Sequence, residues 1–394
     1  MEFLLDLALI YVLVIIAGAV TTIVHEMGHA IAGLLVFKGP IHVYIGSYGK
    51  SDSDLNLNLG RLKISFKYKL HYWRGGLCIA GTPEKSLVRL YLFTLCGPVA
   101  SLIIAITALL FLIYSDIQDV MFLGTMVLLV SASIDFLRNI IPEPNPIILD
   151  DGGITFNDGQ TLKYYREFKD VYNEILTLSQ LYQSNEFEEG LKFFSSLENP
   201  ETNKHLASIG SAFLIKLGRD QEAIDLMDKS KKHKSNKKWT ADQYINYALA
   251  HAHLEKYEKA LEYYDKSLKL NPNCFVSLNN KAYTFTIIGK YKEAIEDANK
   301  AIEINPAFAF SYNNRGLAKI KIGNKEDGLI DIYKSIELDD KNSYAYKNLG
   351  IYHLENDQLE LAIENFNKAN ELDPKTEGLE ELIIEANKKV LKEI

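Results

Sequence analysis

Apolar residues cluster along this chain in three long stretches, all of them before residue 141. The first runs from 7 to 37 and carries His25, Glu26 and His29 in its far half. No residue from 7 to 24 is charged, which meets the roughly 18-residue criterion for a membrane-spanning helix. As one helix the whole stretch would be about 46 Å long, beyond a ~30 Å hydrocarbon core. Its far end must therefore tilt, pack under other elements or emerge. The second stretch, 90–113, is charge-free and contains Gly97-Pro98-Val99-Ala100-Ser101. The third, 120–134, is shorter and runs into Asp135, Arg138 and Asn139, as a helix reaching a buried site would, although an ion pair between Asp135 and Arg138 one turn on is the simpler expectation. The pattern predicts spans at about 3–36, 88–114 and 118–140.

Between the first two stretches the period changes from helical to two. Ile41, Val43 and Ile45 alternate with His42 and Tyr44; Leu55, Leu57 and Leu59, then Leu62, Ile64, Phe66, Tyr68 and Leu70, alternate with Asn, Lys and Ser around Gly60. This predicts β-hairpins in a loop covering 40–75, lying on or dipping into a membrane surface. Gly49-Lys50-Ser51 is no phosphate loop, because Tyr44 stands where the first glycine belongs.

Beyond about residue 165 the chain turns rich in Lys, Glu, Asn and Tyr, and a period of 34 emerges. Pro272, Pro306, Asp340 and Pro374 recur in phase, as do Ala260, Ala294, Gly328 and Ala362, and Ser267, Ala301, Ser335 and Ala369. Each unit puts small residues where two helices must approach closely, which resembles the tetratricopeptide repeat. In-phase units cover about 241–374, with a final capping helix after Lys375 and Thr376. Looser units precede them, around Gly218 and Ala223 and around 185–190. Such stacks present a concave face that generally binds peptides or proteins. The basic run 229–238 is expected to be a solvated loop, with contact to anionic lipid of the bilayer the alternative.

The 394 residues and formal charge of −8 suggest more than one domain and exclude a general nucleic-acid binder. Cys78, Cys96 and Cys274 form no pair at metal or disulfide spacing and are expected to be reduced core thiols. The start lacks a basic segment, so the first stretch is expected to be an anchor that stays rather than a cleaved signal. Basic residues dominate the 38–89 loop, while the 115–119 turn holds only acids. By the positive-inside rule the loop is cytoplasmic, and three spans place the repeats there too.

His25-Glu26-Met27-Gly28-His29 puts two imidazoles on one helical face, where they can hold zinc, with Glu26 beside them as a base. A purely structural use of such groups at membrane depth would be costly. A catalytic zinc needs a third protein ligand and a position left to water. Acids follow the third span, in Asp150-Asp151-Gly152-Gly153 and Asn157-Asp158-Gly159-Gln160; His42 and His71 in the loop are more distant choices.

Over about residues 1–165 the chain resembles the site-2 protease family of intramembrane zinc metalloproteases. The matching features, in order, are the His25–His29 motif, the segment from Gly97 to Ser101, Asn139-Ile140-Ile141-Pro142, and one of the two Asp-Gly pairs. Ser101 replaces the family's usual asparagine, and the distance from Pro142 to either Asp-Gly is longer than usual. The resemblance implies Zn2+ held by His25, His29 and Asp158, with Asp151 the alternative third ligand, Glu26 as the catalytic base, and Asn139 and Ser101 as candidate substrate contacts. An edge strand of the loop would suit an extended substrate.

The fold expected is mainly α: a multi-pass membrane metalloprotease domain, 1–165, with a small β-hairpin region, followed by a cytoplasmic α-solenoid of repeats, 166–394. The function expected is hydrolysis of membrane-protein substrates within the bilayer of the cell membrane, with a protein partner on the concave repeat face and no nucleic acid. By family analogy, cleavage follows an earlier cut by another protease. The alternative is a non-catalytic repeat scaffold on a membrane anchor, with an inactive or structural metal site.

Overall fold

The computed structural model describes residues 2–49, 54–68, 73, 75–81, 86–150, 152–233 and 238–393. The chain divides into two units, Met1–Thr177 and Leu178–Ile394. In the first, helices α1 (Glu2–Val36), α2 (Leu87–Tyr114) and α3 (Asp119–Ile140) pack against one another. Each is long and apolar enough to cross a membrane. Their outer faces leave large apolar side chains such as Ile16, Leu35, Ile103 and Val130 exposed, a density of apolar surface unusual for a water-facing bundle.

A four-stranded sheet packs on the far end of α1. Its strands are β1 (Ile41–Ile45), β2 (Asp54–Leu59), β3 (Leu62–Lys67) and β4 (Gly76–Ala80), in the order β2-β3-β1-β4. The alternating pattern predicted hairpins, and β2–β3 is one, turning at Gly60. β1 departs from that expectation: it lies between β3 and β4, parallel to the first and antiparallel to the second. Burial supplies the reason. Ile41, Val43 and Ile45 are fully buried with Ala30, Phe37, Leu62 and Ile64, and the strand with most apolar area to hide takes the centre of the sheet. After α3 a short ribbon, β5 (Ile147–Ile148) with β6 (Ile154–Thr155), carries the chain back to α4 (Asp158–Phe168), which packs on α2 and α3 and so belongs with the first unit.

The second unit consists of helix pairs. Pairs α5 (Tyr172–Gln183) with α6 (Phe187–Ser196), and α7 (Lys204–Lys216) with α8 (Asp220–Lys231), are the looser units. Four regular pairs follow: α9 (Ala241–His253) and α10 (Tyr257–Leu270), α11 (Phe275–Ile287) and α12 (Tyr291–Ile304), α13 (Ala309–Lys321) and α14 (Lys325–Leu338), α15 (Ser343–Glu355) and α16 (Leu359–Leu372). A capping helix, α17 (Leu379–Glu393), closes the array. Small residues lie where the partners cross: Ala260, Ala294 and Ala362 are wholly buried. The first helices of successive units are joined by buried amides, Asn314 Nδ2 donating to Asn279 Oδ1 and Asn348 Nδ2 to Asn313 Oδ1, both at 2.9 Å.

Phe366 is wholly buried between α15, α16 and α17. Phe366→Ala is expected to cost the repeat unit about 3–5 kcal/mol, seen as a lower denaturant midpoint by circular dichroism. An unchanged midpoint would show that α17 is not packed on this core.

Candidate metal centre

His25 and His29 leave α1 on one face, and both rings are buried. Each is fixed through its Nδ1. His29 Nδ1 stands 2.7 Å from the Phe93 carbonyl oxygen, which can only accept, so this nitrogen carries the proton. His25 Nδ1 stands 2.9 Å from Asp135 Oδ2 and 3.1 Å from Ser101 Oγ, and Ser101 Oγ donates to Asp135 Oδ2 at 2.6 Å. With both Nδ1 atoms donating, both neutral rings keep their Nε2 lone pairs, and the two Nε2 atoms lie 3.2 Å apart. Space for this comes from Gly97 on α2, where a Cβ would lie 2.1 Å from His29 Nε2.

The third group arrives from the start of α4. Asn157 caps this helix, its Oδ1 accepting the N–H of Gln160 at 3.0 Å and of Glu143 at 3.2 Å. Its Nδ2 donates to the carbonyls of Arg138 at 2.8 Å and Ile141 at 2.7 Å, which tie α4 to the end of α3. Asp158, the next residue, brings Oδ2 to 3.1 Å from His25 Nε2 and 3.3 Å from His29 Nε2. The three atoms thus form a triangle with sides of 3.1–3.3 Å. A tetrahedral zinc with bonds of 2.0–2.1 Å has ligands about 3.3 Å apart, so the donor set fits that ion.

Asp151, the alternative ligand, and His71 lie outside the described residues; His42 stands in β1, apart from the gathered donors. Glu26 is buried next to the pair, and its Oε2 has no hydrogen-bond partner among the described residues. Gly76, the first residue of β4, lies against it: a Cβ there would come within 2.4 Å of Glu26 Cγ. A cavity of about 930 Å³ reaches His25 and Glu26, running along Gly18 and Thr22 of α1 and Arg138 and Asn139 of α3. Asn139 lines this cavity, its amide held by Asp135. Ser101 is wholly buried behind His25.

The ion pair expected between Asp135 and Arg138 is corrected here. Asp135 turns inward to His25 and Ser101, and no such pair is present among the described residues. Its part in the site was missed because its partners come from α1 and α2. The available signal was a carboxylate and a serine interrupting two apolar stretches.

Family models for the tetratricopeptide repeat match three segments of the second unit. Residues 241–274, 275–308 and 343–376 are tetratricopeptide repeats. No curated protein matches the chain. Among solved structures, MamA (residues 41 to the end) from Desulfovibrio magneticus is 25% identical, covering 46% of this chain and 100% of its own, with a TM-score of 0.34. A thermophilic tetratricopeptide-repeat protein of Thermus thermophilus, TTC0263, is 19% identical, with coverage of 46% and 98% and a TM-score of 0.41. YrrB, described as a repeat protein with an unusual peptide-binding site, is 19% identical, with coverage of 51% and 97% and a TM-score of 0.32.

Gly97→Ala is expected to push the His29 ring away and weaken binding of zinc or cobalt to the purified chain by at least about tenfold, measured by competition with a chelator. Unchanged affinity would show that His29 does not ligate.

Proposed function

We propose that the first unit is an intramembrane zinc metalloendopeptidase of the site-2 protease kind, and that the repeats bind a protein or peptide partner for it. The observation that carries this is the triangle of two Nε2 atoms and one carboxylate oxygen beside a buried Glu26 whose Oε2 has no partner among the described residues, with the histidines and Glu26 on a helix long and apolar enough to cross a membrane. A structural zinc site takes four protein ligands. Here three donors are gathered among the described residues, and His25 and Glu26 line an open cavity.

His25, His29 and Asp158 would hold zinc, which when bound would act as a Lewis acid and lower the pKa of water towards ~7. Glu26 takes a proton from the attacking water on its free Oε2 and returns it to the leaving amine. Asp135 and Ser101 hold the His25 ring with Nε2 inward, and the Phe93 carbonyl does the same for His29. β4 pairs only with β1 among the described strands, and its Gly76, Leu77 and Cys78 line the space around His25 and Glu26. A substrate segment that unwinds and adds to this edge would be held by its backbone, with a peptide bond brought to Glu26. The substrates are membrane-protein segments, and basic residues in the 38–89 loop favour a cytoplasmic side for both loop and repeats.

The test uses the purified full chain and single-span reporter substrates. Glu26→Gln is expected to retain zinc and lose cleavage by about 10²–10⁴-fold, whereas Asp158→Asn sheds both. Asp135→Asn is expected to lower zinc affinity by about 10–100-fold, because it frees the His25 ring. Cleavage that persists in Glu26→Gln overturns the proposal. Zinc held by a wild type that cleaves nothing points instead to a scaffold with a structural metal.

A further inference from the structure

Glu377 follows the last regular repeat, in the link between α16 and α17, and three of its groups are held by two helices of the array. Its side-chain Oε2 accepts from the Tyr283 hydroxyl of α11 at 2.7 Å. Its carbonyl accepts from Lys347 Nζ of α15 at 2.8 Å, and its backbone also bonds the Tyr344 hydroxyl. α11 and α15 belong to units separated by a whole repeat, yet the Tyr283 and Tyr344 rings lie 6.0 Å apart. Such a contact between non-adjacent units is made only on the concave side, where first helices converge.

The pocket is built for this residue. Lys347 is only 7% exposed, with its ammonium 4.8 Å from the Tyr344 ring centre and 6.0 Å from that of Tyr283. Burial pushes this lysine down to about 8, against the pull of Glu377. Below that pH the fold holds a desolvated cation at a cost to stability, which a packing role does not require. Two hydroxyls and an ammonium converge on one glutamate, gripping its backbone as well as its carboxylate.

We propose that Tyr283, Tyr344 and Lys347 form a glutamate-recognition pocket on the concave face, filled in cis by Glu377, and that an acidic residue in an extended partner peptide enters by displacing it. The 373–378 link is then a built-in competitor, and partner binding releases the contact that tethers the start of α17. This stands apart from the protease proposal, since every group involved lies in the second unit.

The probe is a fluorescein-labelled synthetic peptide of residues 371–381, compared with the same peptide carrying Gln in place of Glu377, titrated by anisotropy against the full chain. Weakening the competitor with Glu377→Ala, which removes its carboxylate contact, is expected to tighten binding of the glutamate peptide at least about tenfold over wild type, and the Gln peptide is expected to bind this variant about tenfold more weakly. Glu377→Gln, which keeps every backbone contact, is run in parallel and is expected to shift in the same direction. In the Glu377→Ala background, Tyr283→Phe is expected to erase the preference for glutamate. Lys347→Met there is expected to abolish binding with an unchanged or higher melting temperature. Equal binding to wild type and Glu377→Ala, or no preference for glutamate over Gln, overturns the proposal.

Discussion

A buried imidazole has two nitrogens, and both must be accounted for; that constraint organises the first unit. His25 and His29 can turn both Nε2 lone pairs to one point only because something else takes each Nδ1 proton. For His29 that acceptor is a main-chain carbonyl of α2, and for His25 it is Asp135 of α3, steadied by Ser101 of α2. The three apolar helices are thus locked together at the site by hydrogen bonds in a region otherwise packed by weakly directional apolar contacts. Asp158 completes the arrangement from outside the helical bundle, and its own position depends on Asn157 satisfying the end of α3. Each donor of the triangle is therefore oriented by groups outside its own helix.

How much of this was legible in the sequence depends on the range of the interaction concerned. The three apolar helices and the 34-residue period are local or repeated patterns, and both emerge where expected. The histidine pair is visible because four residues on a helix is a local spacing. The third donor is more than a hundred residues away, and of two aspartates each preceding a glycine the sequence favours Asp158 without excluding Asp151. Asn157 positions Asp158 through bonds to Arg138 and Ile141, contacts that no spacing rule contains. Asp135 was hidden for the opposite reason: a local partner, Arg138, offered a sufficient explanation, and the stronger claim of His25 lay on another helix. The central, parallel placement of β1 was equally hidden, since alternation states which face is buried but not which neighbour a strand takes.

The repeat period has its own consequence for Glu377. It lies 34 residues after Ser343, the first residue of α15, so it stands where another unit would begin. A first helix continuing from there would add to the inner wall of the array. Instead α17 starts two residues later, after Gly378 in a left-handed conformation, and Glu377 turns towards the groove. Ending the array in register thereby delivers a main-chain segment to the concave face, where a partner peptide would run.

On the proposed membrane reading, the depth of the site follows from the length of α1. From residue 7 to His25 the helix rises about 27 Å, which brings the metal ligands close to the far boundary of a ~30 Å hydrocarbon core. Irregular or extended backbone at such a level is tolerated only where protein covers it or where it lines a wet cavity. The sheet meets the first condition by burying β1 against the last turns of α1, and the cavity beside Glu26 meets the second. Hydrolysis needs water and an unwound peptide bond at one place. The end of a long apolar helix, with a strand edge beside it, supplies both without exposing backbone to lipid.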